Sequence, residues 1–178
     1  MRLFLIRHGI TEANEKRLYC GSTDLPLSRA GVEQLQTLHY DLPCDNYVIS
    51  GMRRTEETLK ILFGDVHYTV EPGFREVDFG RFEMQSYLQL KDREDYQRWL
   101  SGDNEVNVPP EGESGAQMRQ RVLEALARLN RDTVLITHGG VIAAIMAHLF
   151  PQEGKSRYEW QPPNGGGYQV WEEGYCRL

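Results

Sequence analysis

Leu3-Phe4-Leu5-Ile6-Arg7-His8-Gly9, read on through Thr11 and Asn14, passes from an apolar run to a cluster of reactive and anion-binding groups within one residue. The apolar run has the composition of a buried strand. The groups at its end are of the kinds that bind a phosphoryl group and attack it. Arginine supplies a charged planar fork for phosphate oxygens. Histidine is a nucleophile near neutral pH without an activating base, provided it is held uncharged. Glycine lets backbone N–H groups come close to an anion.

Apolar runs of the same strand-like kind recur at 47–49, 66–70, 134–137 and 168–171, and the segments between them have helical spacing. Ser28 is placed to cap a helix that carries Val32, Leu35, Leu38 and Leu42. A second helix is expected from Arg53 to about Phe63. Ser114 caps a third, with Met118, Val122, Leu126 and Leu129 on one face, and 141–150, apolar almost throughout, reads as a buried helix. Strands alternating with helices predict an α/β fold, a three-layer α/β/α sandwich with a mostly parallel central sheet. Two stretches leave that pattern. Residues 80–111 carry Tyr87, Leu90, Tyr96 and Trp99 among many charges and read as a helical excursion over the active site. Residues 153–167, with Pro162-Pro163 and Gly165-Gly166-Gly167, read as a loop, equally a lid, a rim or an ordinary surface connection.

A chain of 178 residues is expected to form one domain over 1–178. The net charge of -6 argues against nucleic acid as the main partner, and a small anionic ligand would need a local basic pocket. No apolar run approaches the roughly 18 residues that a membrane span needs. The first residues lack the pattern of a signal peptide. Cys20, Cys44 and Cys176 are widely spaced and read as free thiols of a cytoplasmic protein, not as a disulfide frame or a metal site. A homodimer is open to the chain if Trp160 and Trp171 are edge residues, although aromatics of this size are more often buried.

In open α/β sheets, ligands sit beyond the carboxyl ends of the strands. Here those ends carry Arg7-His8-Gly9, the segment from Ser50 to Thr55 with Arg53 and Arg54, and His138-Gly139-Gly140, while the loop after 66–70 adds Glu76. Taken singly, none is diagnostic. Strand-end histidines are more often structural, lone arginines are usually surface charges, and most carboxylates are solvated. Together they are hard to explain by stability, because clustered cations repel unless an anion lies among them. Gly139 and Gly140 open a helix whose N–H groups and dipole can also face an anion. The residues point to an anion site, with phosphoryl chemistry as its use.

Arg7-His8-Gly9-x-Thr11-x-x-Asn14 resembles the signature of the histidine phosphatase, or phosphoglycerate mutase-like, superfamily. Further segments agree in order: Gly21-x-x-Asp24-x-Pro26-Leu27-Ser28-x-x-Gly31, Ser50-x-Met52-x-Arg54-Thr55-x-x-Thr58, Glu76-Val77-Asp78-Phe79-Gly80, Gly112-Glu113-Ser114 with Arg121-Val122, and Thr137-His138-Gly139-Gly140. The resemblance implies that His8 attacks phosphorus and becomes a phosphohistidine. It makes Arg54, not Arg53, the pocket arginine, and sets Arg7, Arg54 and His138 around the phosphoryl oxygens. Asn14, Thr11, Gly21 and Gly139 complete the cradle. Glu76 protonates the leaving oxygen and then takes a proton from the hydrolytic water. No metal or cofactor is implied, since guanidinium groups occupy the place of a divalent cation.

The chain departs from the family pattern at two places. Gly51 and Met52 stand where proline and leucine are common, so Arg54 is expected to be held less rigidly. Phe82-Glu83-Met84 stands where Trp-Glu-Gly is frequent; a methionine there calls for an unstrained φ, hence an altered turn into the excursion. The resemblance implies a phosphomonoesterase acting on a small phosphorylated metabolite, because the chain has few residues to spare for the closed cap of a mutase. Residues 76–114 resemble the α-ribazole phosphatase branch, whose substrate is α-ribazole 5'-phosphate in cobalamin biosynthesis. The alternatives are a mutase-type phosphoryl transferase and a non-catalytic phospho-ligand binding protein. Selectivity falls to Glu12, Arg17, Tyr19, the 82–107 excursion and the 157–167 loop, whose aromatics either pack or read substrate.

Overall fold

Both faces of the first strand, β1 (Leu3–Arg7), are buried, and this dictates the layering. A computed structural model describes residues 1–103 and 105–178. Side chains alternate across a strand, so Leu3 and Leu5 face one core while Phe4 and Ile6 face another. The first core is closed by α6 (Gly115–Ala127) and α7 (Gly139–Leu149), through Met118, Val122, Val141 and Ile145. The second is closed by α3 (Arg53–Phe63), through Leu59, Leu62 and Phe63, with α2 (Arg29–Leu35) beside it. The three-layer sandwich is therefore as expected. Exposing any one of these large aliphatic side chains would forfeit about 1.5–3 kcal/mol.

Among the described residues the sheet has six strands, in the order β3-β2-β4-β1-β5-β6. Here β2 is Tyr47–Ile49, β3 Tyr68–Val70, β4 Thr133–Thr137, β5 Gly167–Trp171 and β6 Gly174–Arg177. The first four in that order run parallel, and β5 and β6 are antiparallel additions. Register builds the site. Pairing of Arg7 with Thr137 brings the next residues, His8 and His138, out side by side. Pairing of Ile49 with Ile136 sets Ser50 beside them.

Several boundaries differ from expectation. β3 covers only the last part of 66–70, an exposed edge strand. β6 was not expected: its run is short and polar, and a tight turn at Glu172-Glu173 folds it back onto β5. α2 stops at Leu35, short of Leu38 and Leu42. The 80–111 excursion contains α4 (Tyr87–Leu90) and α5 (Glu94–Leu100), the former one turn long and capped by Ser86; Asn104 lies outside the described residues. The 153–167 stretch is not purely a loop. It forms α8 (Arg157–Trp160), which buries Trp160 against α7, whereas Trp171 is partly exposed at 39%. α1 (Glu12–Glu15) follows the first strand directly. Among the described residues no helix is long and apolar enough to cross a membrane.

Candidate active site

His8 leaves the end of β1 and is almost fully buried. Its Nδ1 lies 2.7 Å from the Gly9 carbonyl oxygen, which can only accept, so Nδ1 carries the hydrogen and Nε2 keeps its lone pair. Burial, then the charge of Arg54, and also that of Arg7, push the imidazole down to about 3 against the pull of the Gly9 carbonyl. The ring is thus neutral at ordinary pH. The surrounding backbone is pinned: His8 N–H donates to Thr137 O, Gly9 N–H to Thr58 Oγ1, and Asn164 Nδ2 to His8 O.

Arg54 enters from the first turn of α3 and is 1% exposed. Its Nη1 donates to Thr23 O at 2.9 Å, its Nη2 to Gly21 O at 2.8 Å and its Nε to His138 Nδ1 at 3.3 Å. The looser hold expected from Gly51 is not found. Gly51 does adopt a left-handed φ of 82°, but rigidity comes from acceptors outside the helix. Those acceptors are themselves organised by Glu83, whose carboxylate takes the N–H groups of Gly21, Ser22, Thr23 and Phe79 and the Thr23 hydroxyl. Gly21 therefore stands behind Arg54, its carbonyl on the guanidinium and its N–H on Glu83, and not as a free donor of the cradle. Arg53, which the resemblance set aside in favour of Arg54, pairs with Glu57 at the surface.

Arg7 donates from Nη1 to Pro162 O, while its buried Nε finds no acceptor among the described residues. A buried guanidinium N–H without an acceptor is costly, and an anion would satisfy it. Gly139 opens α7 under this side chain; a Cβ there would stand 3.2 Å from Arg7 Cζ. Thr11 is buried as the N-cap of α1, and its hydroxyl and N–H both donate to Asn14 Oδ1. It orients Asn14, which reaches the cavity, and does not reach it itself.

Glu76 lies across from Arg7. Gly140 N–H donates to its Oε2 at 2.9 Å and Val77 N–H to its Oε1 at 3.0 Å. The N-terminus of α7 is thus partly spent on Glu76, where sequence had pointed it at an external anion. A Cβ at position 140 would fall 2.4 Å from Glu76 Oε1, so this approach requires glycine. Arg121 fixes the segment from behind, donating to the carbonyls of Gly73, Arg75 and Glu76 while paired with Glu113.

The family profile described as histidine phosphatase superfamily (branch 1) matches residues 3–172. The chain belongs to this superfamily. An adenosylcobalamin/alpha-ribazole phosphatase of Escherichia coli (strain K12) is 31% identical over 177 residues, 93% of this chain and 87% of that relative. A solved structure of a putative alpha-ribazole-5'-P phosphatase from Escherichia coli str. K-12 substr. MG1655 superposes with a TM-score of 0.85 at 28% identity, covering 100% of this chain and 94% of that one. A phosphoglycerate mutase from Thermus thermophilus gives 0.79 at 31% identity, covering 100% and 98%. The chain is accordingly a histidine-type phosphatase.

A cavity of about 580 Å³ opens over this phosphatase site. Arg7, Asn14, Glu76 and Gly140 line it together with Tyr19, Phe79, Trp99, Met118, Ala143 and Tyr158. His8, Arg54 and His138 are buried and are not among the residues that line it. The apolar side chains of the excursion divide: Phe82, Leu90 and Tyr96 form a small core of their own, while Trp99, with Tyr19 and Phe79 from outside the excursion, backs onto that core and also lines the cavity. Tyr87 does neither job fully and is 55% exposed. Sequence reading missed Pro162 and Asn164, which hold Arg7 and His8, and the reach of Glu83. Only the Pro-Asn-Gly composition after Trp160 hinted at a special backbone there.

Proposed function

We propose that the protein is a metal-independent phosphomonoesterase acting through a phosphohistidine on His8, with α-ribazole 5'-phosphate as substrate. The observation that carries this reading is the state of His8: neutral, Nε2 lone pair free, and set among Arg7 and Arg54 with an unsatisfied Arg7 N–H nearby. The phosphate enters between those guanidinium groups, whose charge stabilises the equatorial oxygens as the transition state spreads charge over them. His8 Nε2 forms a bond to phosphorus while the P–O ester bond breaks. Glu76 in its acid form gives its proton to the departing oxygen. The resulting carboxylate then takes a proton from water, whose oxygen attacks phosphorus and releases His8. Two arginines do the electrostatic work of a divalent cation, so no metal enters a step.

The cavity supports the choice of substrate. About 580 Å³ far exceeds a phosphate and suits a nucleoside-sized leaving group, and its aromatic walls suit a flat apolar base. The name of the Escherichia coli relative agrees. Free Cys20, Cys44 and Cys176 support the cytoplasm as its place of work.

The test is phosphate release in EDTA from α-ribazole 5'-phosphate, phosphoglycerates, sugar phosphates and a nitrophenyl ester, with wild type and His8→Ala side by side. One preferred nucleotide, lost in the variant, together with an acid-labile, base-stable phosphoprotein in the wild type, is the expected result. Turnover retained by His8→Ala sinks the nucleophile assignment. Transfer from a bisphosphorylated donor to an acceptor in preference to water would make the protein a mutase.

A further inference from the structure

A chain of buried hydrogen bonds runs behind His138, and its direction can be read. Thr55 Oγ1 lies 2.7 Å from the Met52 carbonyl, which can only accept, so the single Thr55 hydroxyl hydrogen is committed there. Thr55 Oγ1 is then an acceptor towards Ser50 Oγ, 3.2 Å away, and Ser50 spends its own hydrogen on Thr55. Ser50 Oγ, left with lone pairs, faces His138 Nε2 at 2.9 Å and Met52 N–H at 3.4 Å. Nε2 must carry the hydrogen. On the other side of the ring, Nδ1 faces Arg54 Nε, which can only donate. The opposite tautomer would set two N–H groups against each other at 3.3 Å and two hydroxyl lone pairs against each other at 3.2 Å. Ser50, Thr55 and His138 are all buried, so no water competes for these groups.

We propose that Ser50 and Thr55 are positioning residues that lock neutral His138 in its Nε2–H tautomer, so that the Nδ1 lone pair holds the Nε–H of Arg54 and aims the guanidinium. The inference rests on the phosphatase reading for its consequence in rate, and on hydrogen-bond geometry alone for the tautomer. It alters the part given to His138. In this geometry the ring is an acceptor that steers an arginine, which leaves the Arg54 N–H groups not given to Thr23, Gly21 and His138 for a phosphoryl oxygen. The sequence shows both hydroxyls, in Ser50-Gly51-Met52-Arg53-Arg54-Thr55, but the bend at Gly51 that turns Ser50 back on Thr55 is a property of the fold.

The experiment uses the full chain with 15N-labelled histidine. His138 ring signals are identified by their loss in His138→Gln, and the 15N shifts report which nitrogen is protonated. The expected wild-type state is Nε2 protonated and Nδ1 bare. Thr55→Val keeps the shape and removes the hydroxyl, freeing Ser50 Oγ–H to turn towards Nε2. The variant is expected to lose the pure Nε2–H signature and to drop about 10–100-fold in kcat/KM, by analogy with the loss when the partner that orients a metal-bound histidine is removed. Thr55→Ser should restore both spectrum and rate. If Thr55→Val does not fold, Ser50→Ala removes the acceptor itself with a smaller change of volume and should show the same two effects. A wild-type His138 protonated at Nδ1 overturns the proposal, as does a Thr55→Val enzyme with unchanged spectrum and rate, or a Thr55→Ser enzyme that folds but recovers neither. A wild type that carries the Nε2–H signature yet hydrolyses no phosphate ester would sink the phosphatase reading and leave the tautomer lock standing.

Discussion

A histidine attacks phosphorus only while one ring nitrogen is bare, and His8 is kept so twice over. The Gly9 carbonyl takes the Nδ1 hydrogen, and burial beside Arg54 and Arg7 resists any second proton. That resistance is also a statement about stability. The folded-state value is lowered to about 3, against 6.5 for a free imidazole. Below about pH 6.5 the unfolded chain gains a proton that the folded chain refuses until about pH 3. Stability conferred by neutral His8 is therefore complete above about pH 6.5 and is lost progressively as pH falls towards 3. Between about pH 6.5 and 4.5 the loss is expected to be about 2–3 kcal/mol greater in the wild type than in His8→Asn. Urea unfolding of both proteins at those two pH values measures it, and equal losses would mean that His8 is protonated in the folded state. The identity of this residue was legible from its place after an apolar run. Its tautomer was not, because that depends on where a neighbouring carbonyl points.

Helix ends and turns carry the next level of design. The first turn of α7 lends Gly140 N–H to Glu76, and only a glycine lets the carboxylate come so near. Gly140→Ala should therefore act like a lesion in the acid: circular dichroism unchanged, kcat down about a hundredfold on esters with poor leaving groups, and little changed on a nitrophenyl ester. Equal losses on both would show that Gly140 serves the phosphate and not Glu76. The turn into the excursion gives a second case. An unstrained φ was expected at Met84, yet the residue sits at φ 58°, tied by its N–H to Tyr19 O. Reciprocal bonding between Tyr19 and the 84–85 segment fixes the turn, and methionine bears the strain. Since a left-handed conformation costs a side-chain-bearing residue about 1–2 kcal/mol and glycine returns part of that as unfolded-state entropy, Met84→Gly is expected to stabilise by about 0.5–1 kcal/mol. Chemical denaturation would show it; a destabilised variant would mean that packing of the thioether outweighs the backbone. Sequence pattern located such elements well where apolar residues form a run, as in β1 and α7, or recur at helical spacing, as in α3. It failed at β6, a short polar run defined by its hairpin with β5, and at α8 and Met84, whose conformations are set by contacts with α7 and Tyr19.

Across the molecule, the sheet delivers the phosphate-binding groups and two later segments shape what surrounds them. The excursion and α8 both line the cavity, and Arg157 donates to Glu105 at 2.6 Å between them. Sequence could name both stretches as candidates for selectivity, since neither fits the alternating core pattern. That they meet follows from the packing of α8 on α7 and from the Glu105 backbone, which takes the N–H of Ala116 at the start of α6. The pair is partly solvated, so its contribution to global stability is small, about 0–1 kcal/mol. Its place is what matters: both partners line the cavity, and the pair makes no hydrogen bond to His8 or Glu76 among the described residues. Arg157→Gln should accordingly leave the melting temperature and the turnover of a nitrophenyl ester as they are. It should raise KM for a nucleotide-sized substrate about three- to fivefold, the equivalent of up to about 1 kcal/mol of lost contact. If both substrates suffer alike, the bridge is felt at the catalytic groups. If neither does, the leaving group binds elsewhere on the cavity wall, and the aromatic face of Tyr19 and Trp99 becomes the place to look.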